Sequence, residues 1–351
     1  MHRTQTVVLG MSGGVDSSVA AFLLKEQGYK VVGLFMKNWE ETDNSGICNS
    51  VRDFEDVVSV CNQLDIPYYS VNFVKEYEEL VFNEFLQELR LGHTPNPDIL
   101  CNREIKFKVF LEKAMQLGAD FLATGHYAQK DQMCRLLKGK DPGKDQSYFL
   151  YTLSQEVLQK VLFPIGSIEK TQVREIAKKL GLTTHDKKDS TGICFIGKRD
   201  FKEFVSQYIP YQKGYFETLK GDIVGEHEGA AYYTIGQRKG MGIGGPGEAW
   251  FVVKKDIARN VVIVEQGSDH PALYSTTLRA NNISWVSAQP KLPFACKAKI
   301  RYRQTDQDCL IEKIEGDRLF VSFKEPQRAV TARQSIVFYD GDICLGGAMI
   351  E

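Results

Sequence analysis

Hydrophobic positions in the first part of the chain follow two alternating rhythms. "TVVLGM" (6–11) and "YKVVGLFM" (29–36) are apolar runs of strand length. Between them, "VDSSVAAFLLKEQG" (15–28) repeats at helical spacing through Val15, Val19, Phe22 and Leu23 and closes on Gly28. The same reading predicts a helix over about 51–64, a strand at "YYSVNF" after Pro67 and a long helix near 75–91. It then predicts a helix over about 103–117 and a strand at "DFLATGH" (120–126). Strands and helices in alternation with short links predict an α/β fold, a parallel sheet covered on both faces. Residues 145–200 read as mostly helical, and "RDFKEFVSQYI" (199–209) closes this part.

At Pro210 the texture changes. Short β-branched and aromatic runs now alternate with Gly, Asn and Asp turns, as in "YYTIGQRKG", "AWFVVKKD", "NVVIVEQG", "DRLFVSFKEP" and "QSIVFYDGDIC". These runs predict a small β-rich central domain followed by a compact C-terminal β-barrel. "DHPALYS" interrupts the strand rhythm, so the expected domains are 1–205, 206–274 and 275–351.

At 351 residues the chain is too long for one ordinary domain, and 43% hydrophobic with 25% charged residues is normal for a globular protein. The net charge of −1 neither demands nor excludes an anionic partner. No window approaches the roughly 18 apolar residues of a membrane span, and "MHRTQTVVLGMSGG" has no secretory or transit signature. A bacterial-type cytoplasmic location and no membrane partner are expected. Cysteines 48, 61, 101, 134, 194, 296, 309 and 344 form no C-x-x-C pair, which argues against a structural zinc. Most are expected to be reduced and several simply buried.

"SGGVDSS" (12–18) falls where the first strand turns into the first helix, the edge of an open α/β sheet that binds ligands. Gly13 and Gly14 let backbone amides approach an anion, and the helix dipole favours negative charge there. Ser12, Ser17 and Ser18 are candidate phosphate donors. Asp16 would be repelled by bare phosphate, so a bridging Mg2+ is expected beside it. No lysine follows in the Walker A pattern. The loop resembles the SGGxDS loop of the PP-loop ATP pyrophosphatases, which cleave ATP to AMP and pyrophosphate. "GMGIGG" (240–245) also fits G-x-G-x-x-G, but a strand-like run follows it, so a second nucleotide site is not expected.

Two cysteines fit adenylate-forming chemistry, in which a carbonyl oxygen leaves as AMP and sulfur displaces it. In "NPDILCNR" (96–103), Asn96 reads as a helix cap and Pro97 as the first helical residue. Cys101 then lies in the opening turns, where the dipole favours thiolate, with Asp98 at i−3 on the same face. A carboxylate so close opposes thiol ionisation, so Asp98 reads as a proton carrier. Cys194 lies in the glycine-flanked "STGICFIG" (190–197), with Lys187, Lys188, Lys198 and Arg199 nearby. That setting suits a thiol carrying a persulfide. In "CKAKIRYRQ" (296–304) Lys297, Lys299, Arg301 and Arg303 alternate with Cys296, Ala298, Ile300 and Tyr302. A strand here would present a basic face suited to an RNA backbone, although periodicity alone fits a merely solvated face nearly as well.

Together these segments resemble the tRNA-specific 2-thiouridylases, which convert the wobble uridine of certain tRNAs to 2-thiouridine. The likeness runs along "SGGVDSS", "GLFMKNW", "TPNPDILCNREIKF", "ATGHYA", "KDQSYFL", "STGICFIG", "TIGQRKGMGIGG" and "KIRYRQ". The resemblance implies that ATP adenylates the uracil C2 oxygen at position 34, releasing pyrophosphate. Cys194 would carry the persulfide and Cys101 attack it, leaving a Cys101–Cys194 disulfide, with Asp98 moving protons. It implies an ATP site of Gly10, Met11, Ser12, Gly13, Gly14, Val15, Asp16 and Ser17 with Met36 and Gly125. The implied tRNA contacts are Asn96, Pro97, Asp98, His126, Lys144, Asp145, Gln146, Arg301, Tyr302 and Gln334. A persulfide relay protein or cysteine desulfurase would reload Cys194, and the chain is expected to act as a monomer. Two other readings remain open to test. A PP-loop ligase for a small metabolite would not need both thiols, and an RNA-binding redox sensor would release no pyrophosphate.

Overall fold

The first strand, Thr6–Met11, is central to a five-stranded sheet, because its apolar run can be buried on both faces. This computed structural model describes residues 3–40, 49–188 and 200–351. Thr6–Met11 pairs in parallel with Lys30–Lys37 on one side and Phe121–Ala123 on the other. Tyr68–Asn72 and Val161–Leu162 complete the two edges, also in parallel. Helices Val15–Glu26, Asn49–Gln63 and Lys170–Lys179 share a core with Val7, Leu9 and Val31 on one face. The helical segments between residues 74 and 116 pack on the other face with Val8, Leu34 and Leu122. Each fully buried Val, Leu or Phe in these layers contributes about 1.5–3 kcal/mol.

The expected helices at 75–91 and 103–117 are present, with two differences. Val74–Arg90 contains a π-helical stretch at Glu78–Phe82. The second helix starts earlier, at Pro97, and its Cys101–Val109 portion is a nine-residue π-helix before Phe110–Gln116 resumes the α form. Residues 145–169 depart from the helical expectation. They hold short turns, the helix Gln155–Gln159 and the edge strand Val161–Leu162, and aromatic side chains such as Tyr148 and Tyr151 anchor the backbone in the core.

A four-stranded sheet of Gly214–Glu217, Ile223–His227, Trp250–Asp256 and Val261–Gln266 follows. "YYTIGQRKG" is not one of its strands. It runs through turns, with Gly236 at φ +83° and Gly240 at φ +77°, left-handed conformations that interrupt regular strand pairing. "GMGIGG" is likewise an irregular loop leading into a strand, and no helix follows it.

The last sheet is a barrel. Its strands Tyr274–Trp285, Phe294–Lys299, Gln307–Glu315, Arg318–Arg328, Ser335–Asp340 and Ile343–Ile350 close through pairing of the first with the last. The hairpin of Ala128–Lys130 and Leu136–Lys138, which belongs in sequence to the α/β part, adds onto this sheet through Ile343 and Leu137. The hairpin ties the barrel to the parallel-sheet domain. Among the described residues no helix is long and apolar enough to cross a membrane.

Candidate active site

The turn after the first strand is shaped by glycine. Gly13 has φ +72°, and a Cβ there would strike the carbonyl of Asp53. Gly14 caps the helix with no side-chain hydrogen bond, which leaves the first-turn amides suited to an anion. The serines divide in role. Ser17 and Ser18 turn back to donate to the Gly14 carbonyl at 3.1 and 2.9 Å, so they brace the loop, whereas Ser12 is exposed. Ser18 also accepts from Thr184 at 3.0 Å and is fully buried. Gly10 and Met11 end the strand beneath the loop, Val15 is in the core, and Met36 is the penultimate residue of the neighbouring strand.

Asp16 has partners that the sequence did not announce. Lys170 Nζ donates to both carboxylate oxygens at 2.7 and 2.8 Å, and the Tyr127 hydroxyl donates at 2.6 Å. Lys170 is only 7% exposed although it begins a helix, where the dipole disfavours a cation. That placement sets it apart from an ordinary surface lysine, and only the fold reveals its partner. Asp16 is thus neutralised from within the chain, so its presence no longer requires a bridging metal ion. Among the described residues no group of three carboxylate, histidine or cysteine side chains could hold one.

The thiol segment is built as its spelling predicts. The Asn96 side chain accepts from the amides of Asp98 and Ile99 at 3.2 and 3.4 Å, and Pro97 occupies the first turn. Cys101 opens the π-helix and is 1% exposed. A π-helical turn widens the helix and is common at functional sites. Burial raises the Asp98 carboxyl above its usual range, opposed by the charge of Lys106. Burial holds the His126 imidazole well below its usual range, and Lys106 pushes the same way. His126 is therefore neutral near pH 7, with Nδ1 at 2.8 Å from the Thr124 hydroxyl. Lys106, missed from the sequence, acts electrostatically on both groups.

One short segment joins the two halves of the site. At Gly125 a Cβ would come within 3.0 Å of Ser17 N and 3.2 Å of Asp16 C, so this glycine allows the strand end to lie against the phosphate loop. Next to it, the His126 ring sits 5.7 Å from Phe107 of the thiol helix. Tyr127 returns to Asp16. Gly125, His126 and Tyr127 form a wall shared by the loop and the thiol helix.

The barrel reaches the same region. Asn102, beside Cys101, donates to the Phe149 carbonyl at 3.1 Å, and the Phe149 ring lies 4.3 Å from Tyr302. Burial pushes the Tyr302 phenol up to about 12, with Asp145 the leading charge and Asp98 a further one. Arg301 is exposed and donates to the Arg328 carbonyl. Gln334 donates to the Thr94 carbonyl at 2.6 Å. Lys144 and Gln146 are half-buried, and Gln146 accepts from Tyr127 N at 2.9 Å. Asp145 is buried, and its carboxylate accepts from Gly139 N, Ser147 N and the Ser147 hydroxyl. Its side chain organises the loop and is already fully engaged within the chain.

The basic strand face is shorter than the alternation suggests. The strand ends at Lys299, and Arg301 and Arg303 lie in the turn beyond it. Lys297 pairs with Asp308 at 2.9 Å, and Lys299 lies 3.7 Å from Asp145 and 3.8 Å from Asp306. Acidic partners brought by the neighbouring strand and loop neutralise half of the stripe. Cys194, Lys198 and Arg199 lie outside the described residues. Lys187, just before them, is bound to Asp53 and Asp56 at 2.7 and 2.5 Å, so its charge is already matched.

Comparison with known proteins agrees along the whole chain. Residues 5–198 match the tRNA methyl transferase HUP domain family, 202–266 the tRNA methyl transferase PRC-barrel domain and 275–350 the aminomethyltransferase β-barrel domain. A tRNA-specific 2-thiouridylase MnmA of Protochlamydia amoebophila is 62% identical, covering 100% of this chain and 94% of that protein. Proteins of the same name from Geobacillus thermodenitrificans and Halalkalibacterium halodurans are 58% and 57% identical, covering 100% and 98% of this chain and 95% and 94% of their own lengths. The chain belongs to the tRNA-specific 2-thiouridylase family.

Proposed function

We propose that this chain is an ATP-dependent sulfurtransferase that 2-thiolates the wobble uridine, position 34, of tRNA. The observation that carries the mechanism is the shared wall: Gly125 packs on the phosphate loop while His126 faces the thiol helix. Nucleotide activation and sulfur transfer can then act on one base held between them. Because both halves come from one chain, a monomer suffices. The units 1–205, 206–274 and 275–351 divide the work, with the barrel supplying the RNA face.

ATP would lie with its phosphates on the amides of Gly13, Gly14 and Val15, where the uncapped helix start and the left-handed Gly13 fit an anion. Lys170, paired to Asp16, cancels the carboxylate charge that would otherwise repel them. Mg2+ would accompany the triphosphate as its counterion, and Asp16 is the loop carboxylate that could help hold it.

Adenylation of the uracil C2 oxygen makes it a leaving group, with pyrophosphate released. The Cys101 thiolate attacks Cys194 Sγ, the inner sulfur of the Cys194 persulfide. The persulfide S–S bond breaks with its electron pair on the outer sulfur, which leaves as hydrosulfide, and a Cys101 lone pair makes the Cys101–Cys194 disulfide. Hydrosulfide adds at C2 and AMP departs. The Asp98 carboxylate, whose proton affinity burial raises, takes the Cys101 proton as the thiolate forms. Neutral His126 offers a hydrogen bond to the base without placing a cation there. A thiol reductant then reopens the disulfide, and a persulfide relay protein or cysteine desulfurase reloads Cys194. Such a tRNA enzyme belongs in the cytoplasm.

The direct test supplies unmodified tRNA, ATP, magnesium and a persulfide donor, and measures nucleoside mass and pyrophosphate. 2-Thiouridine formed with matching AMP and pyrophosphate is expected. Its absence across several donors would reject the assignment.

A further inference from the structure

Two thiols outside the proposed reaction face each other in the barrel. Cys296 and Cys309 are direct partners in the antiparallel register of Phe294–Lys299 and Gln307–Glu315. Their sulfurs are 3.7 Å apart, and both thiols are free. Residues directly opposed on antiparallel strands have Cα atoms about 4.5–5.5 Å apart. Disulfides accept about 4.4–6.8 Å, so the bond forms without separating the strands. Cys309 is buried, whereas Cys296 is half-exposed and within reach of a small oxidant.

We propose that Cys296 and Cys309 form a second, oxidisable dithiol that closes reversibly into an intramolecular disulfide under peroxide. The Cys296 sulfur attacks one peroxide oxygen, giving a sulfenic acid and one water. The Cys309 sulfur displaces the hydroxyl, releasing a second water and forming the S–S bond. Two thiols are oxidised by two electrons and one peroxide is reduced. The hydrogen bond to Cys296 and burial both raise the Cys309 thiol, so the half-exposed Cys296 is the one that meets the oxidant first.

Position gives the bond a consequence. Ala298–Gln307 and Lys297–Asp308 are the only register pairs between these cysteines and the turn that carries Arg301, Tyr302 and Arg303. That turn is held by Ile300 N on the Gln304 side chain at 2.8 Å and by Tyr302 on Phe149. Closing the sulfurs from 3.7 Å to about 2.05 Å draws the hairpin together beneath this tip. The oxidised barrel therefore binds tRNA more weakly. This last step rests on the tRNA reading, whereas disulfide formation does not.

The test uses the full chain carrying Cys101→Ser and Cys194→Ser, so that the proposed catalytic pair is silent. After stoichiometric hydrogen peroxide, alkylation and digestion, mass spectrometry should find a peptide joining residues 296 and 309, lighter by two hydrogens. Dithiothreitol should reverse it, and adding Cys296→Ser should abolish it. If both thiols remain alkylatable, or are over-oxidised without crosslinking, the proposal fails. tRNA binding should weaken on oxidation and recover on reduction, with the Cys296→Ser chain indifferent. Equal binding by linked and reduced chains would overturn the coupling to the tip, while a chain that binds no tRNA in either form would instead sink the tRNA reading.

Discussion

Two carboxylates, Asp16 of the phosphate loop and Asp98 of the thiol helix, stand in opposite surroundings. Asp16 is met by a buried lysine and a tyrosine hydroxyl, all within 2.8 Å. Asp98 lies in a helix turn where burial disfavours its charge and Lys106 only partly offsets the cost. A fixed, neutralised pair suits a place where anionic phosphates must sit and not be repelled. A carboxylate with a raised proton affinity suits a place where a proton must be held and passed on. The same residue type is given two chemistries by its neighbours.

The largest expected effect separates the two sides. Cys101→Ala should reduce persulfide-driven 2-thiouridine formation at least about a thousandfold while tRNA-dependent pyrophosphate release continues, since nothing on the phosphate side is touched. Cys194→Ala should do the same. Full thiolation by either variant would end the two-thiol mechanism.

Asp98→Asn should lower thiolation by about 10²–10⁴-fold, the usual worth of a proton-transferring group. It should also stabilise the protein at neutral pH. A folded-state pKa raised above the unfolded value means that the native chain binds protons more readily. Stability is then greatest below the unfolded value and falls as pH rises through the folded one. The asparagine variant escapes that loss, so denaturant titrations at pH 7 and at low pH should show a gain only at pH 7. A variant less stable than the parent at pH 7 would contradict the desolvated carboxylate.

On the other side, Lys170→Met should cost about 2–3 kcal/mol, below the fully buried range because Asp16 is partly exposed. Pyrophosphate release should fall with it. Combining it with Asp16→Asn should recover part of the stability but none of the ATP cleavage. Additive stability losses would show that the two residues do not act as a pair.

Smaller effects belong to the RNA face. Tyr302→Ala should weaken tRNA binding by about 1–2 kcal/mol through the lost ring, while Tyr302→Phe stays near the parent because its hydroxyl lies 3.5 Å from the Lys144 carbonyl. Lys297→Ala should change the salt dependence of tRNA binding least, being already paired with Asp308. A steep change there would restore the continuous basic ribbon.

Much of this was legible before the fold. Gly13 and Gly14 between a strand and a helix, Asn96 and Pro97 at a helix start, and the shift to β texture at Pro210 are local signals, and the chain follows them. The misreadings share a cause. Residues 145–169 look helical but are held by buried tyrosines, "YYTIGQRKG" looks like a strand but needs left-handed glycines, and Lys299 looks like an RNA contact but finds Asp145 and Asp306. In each case a partner far along the chain overrules local pattern.

By itself, then, the sequence determined the order of elements, the anion loop, the capped thiol helix and the chemistry that its motifs imply, because these depend on neighbours within a few residues. Only the tertiary structure decided that Lys170, 154 positions from Asp16, neutralises it, and that Gly125 and His126 bring the phosphate loop against the thiol helix. Charge pairing and desolvation act through space, and spacing along a chain does not reveal which distant side chain will fill the space beside a carboxylate.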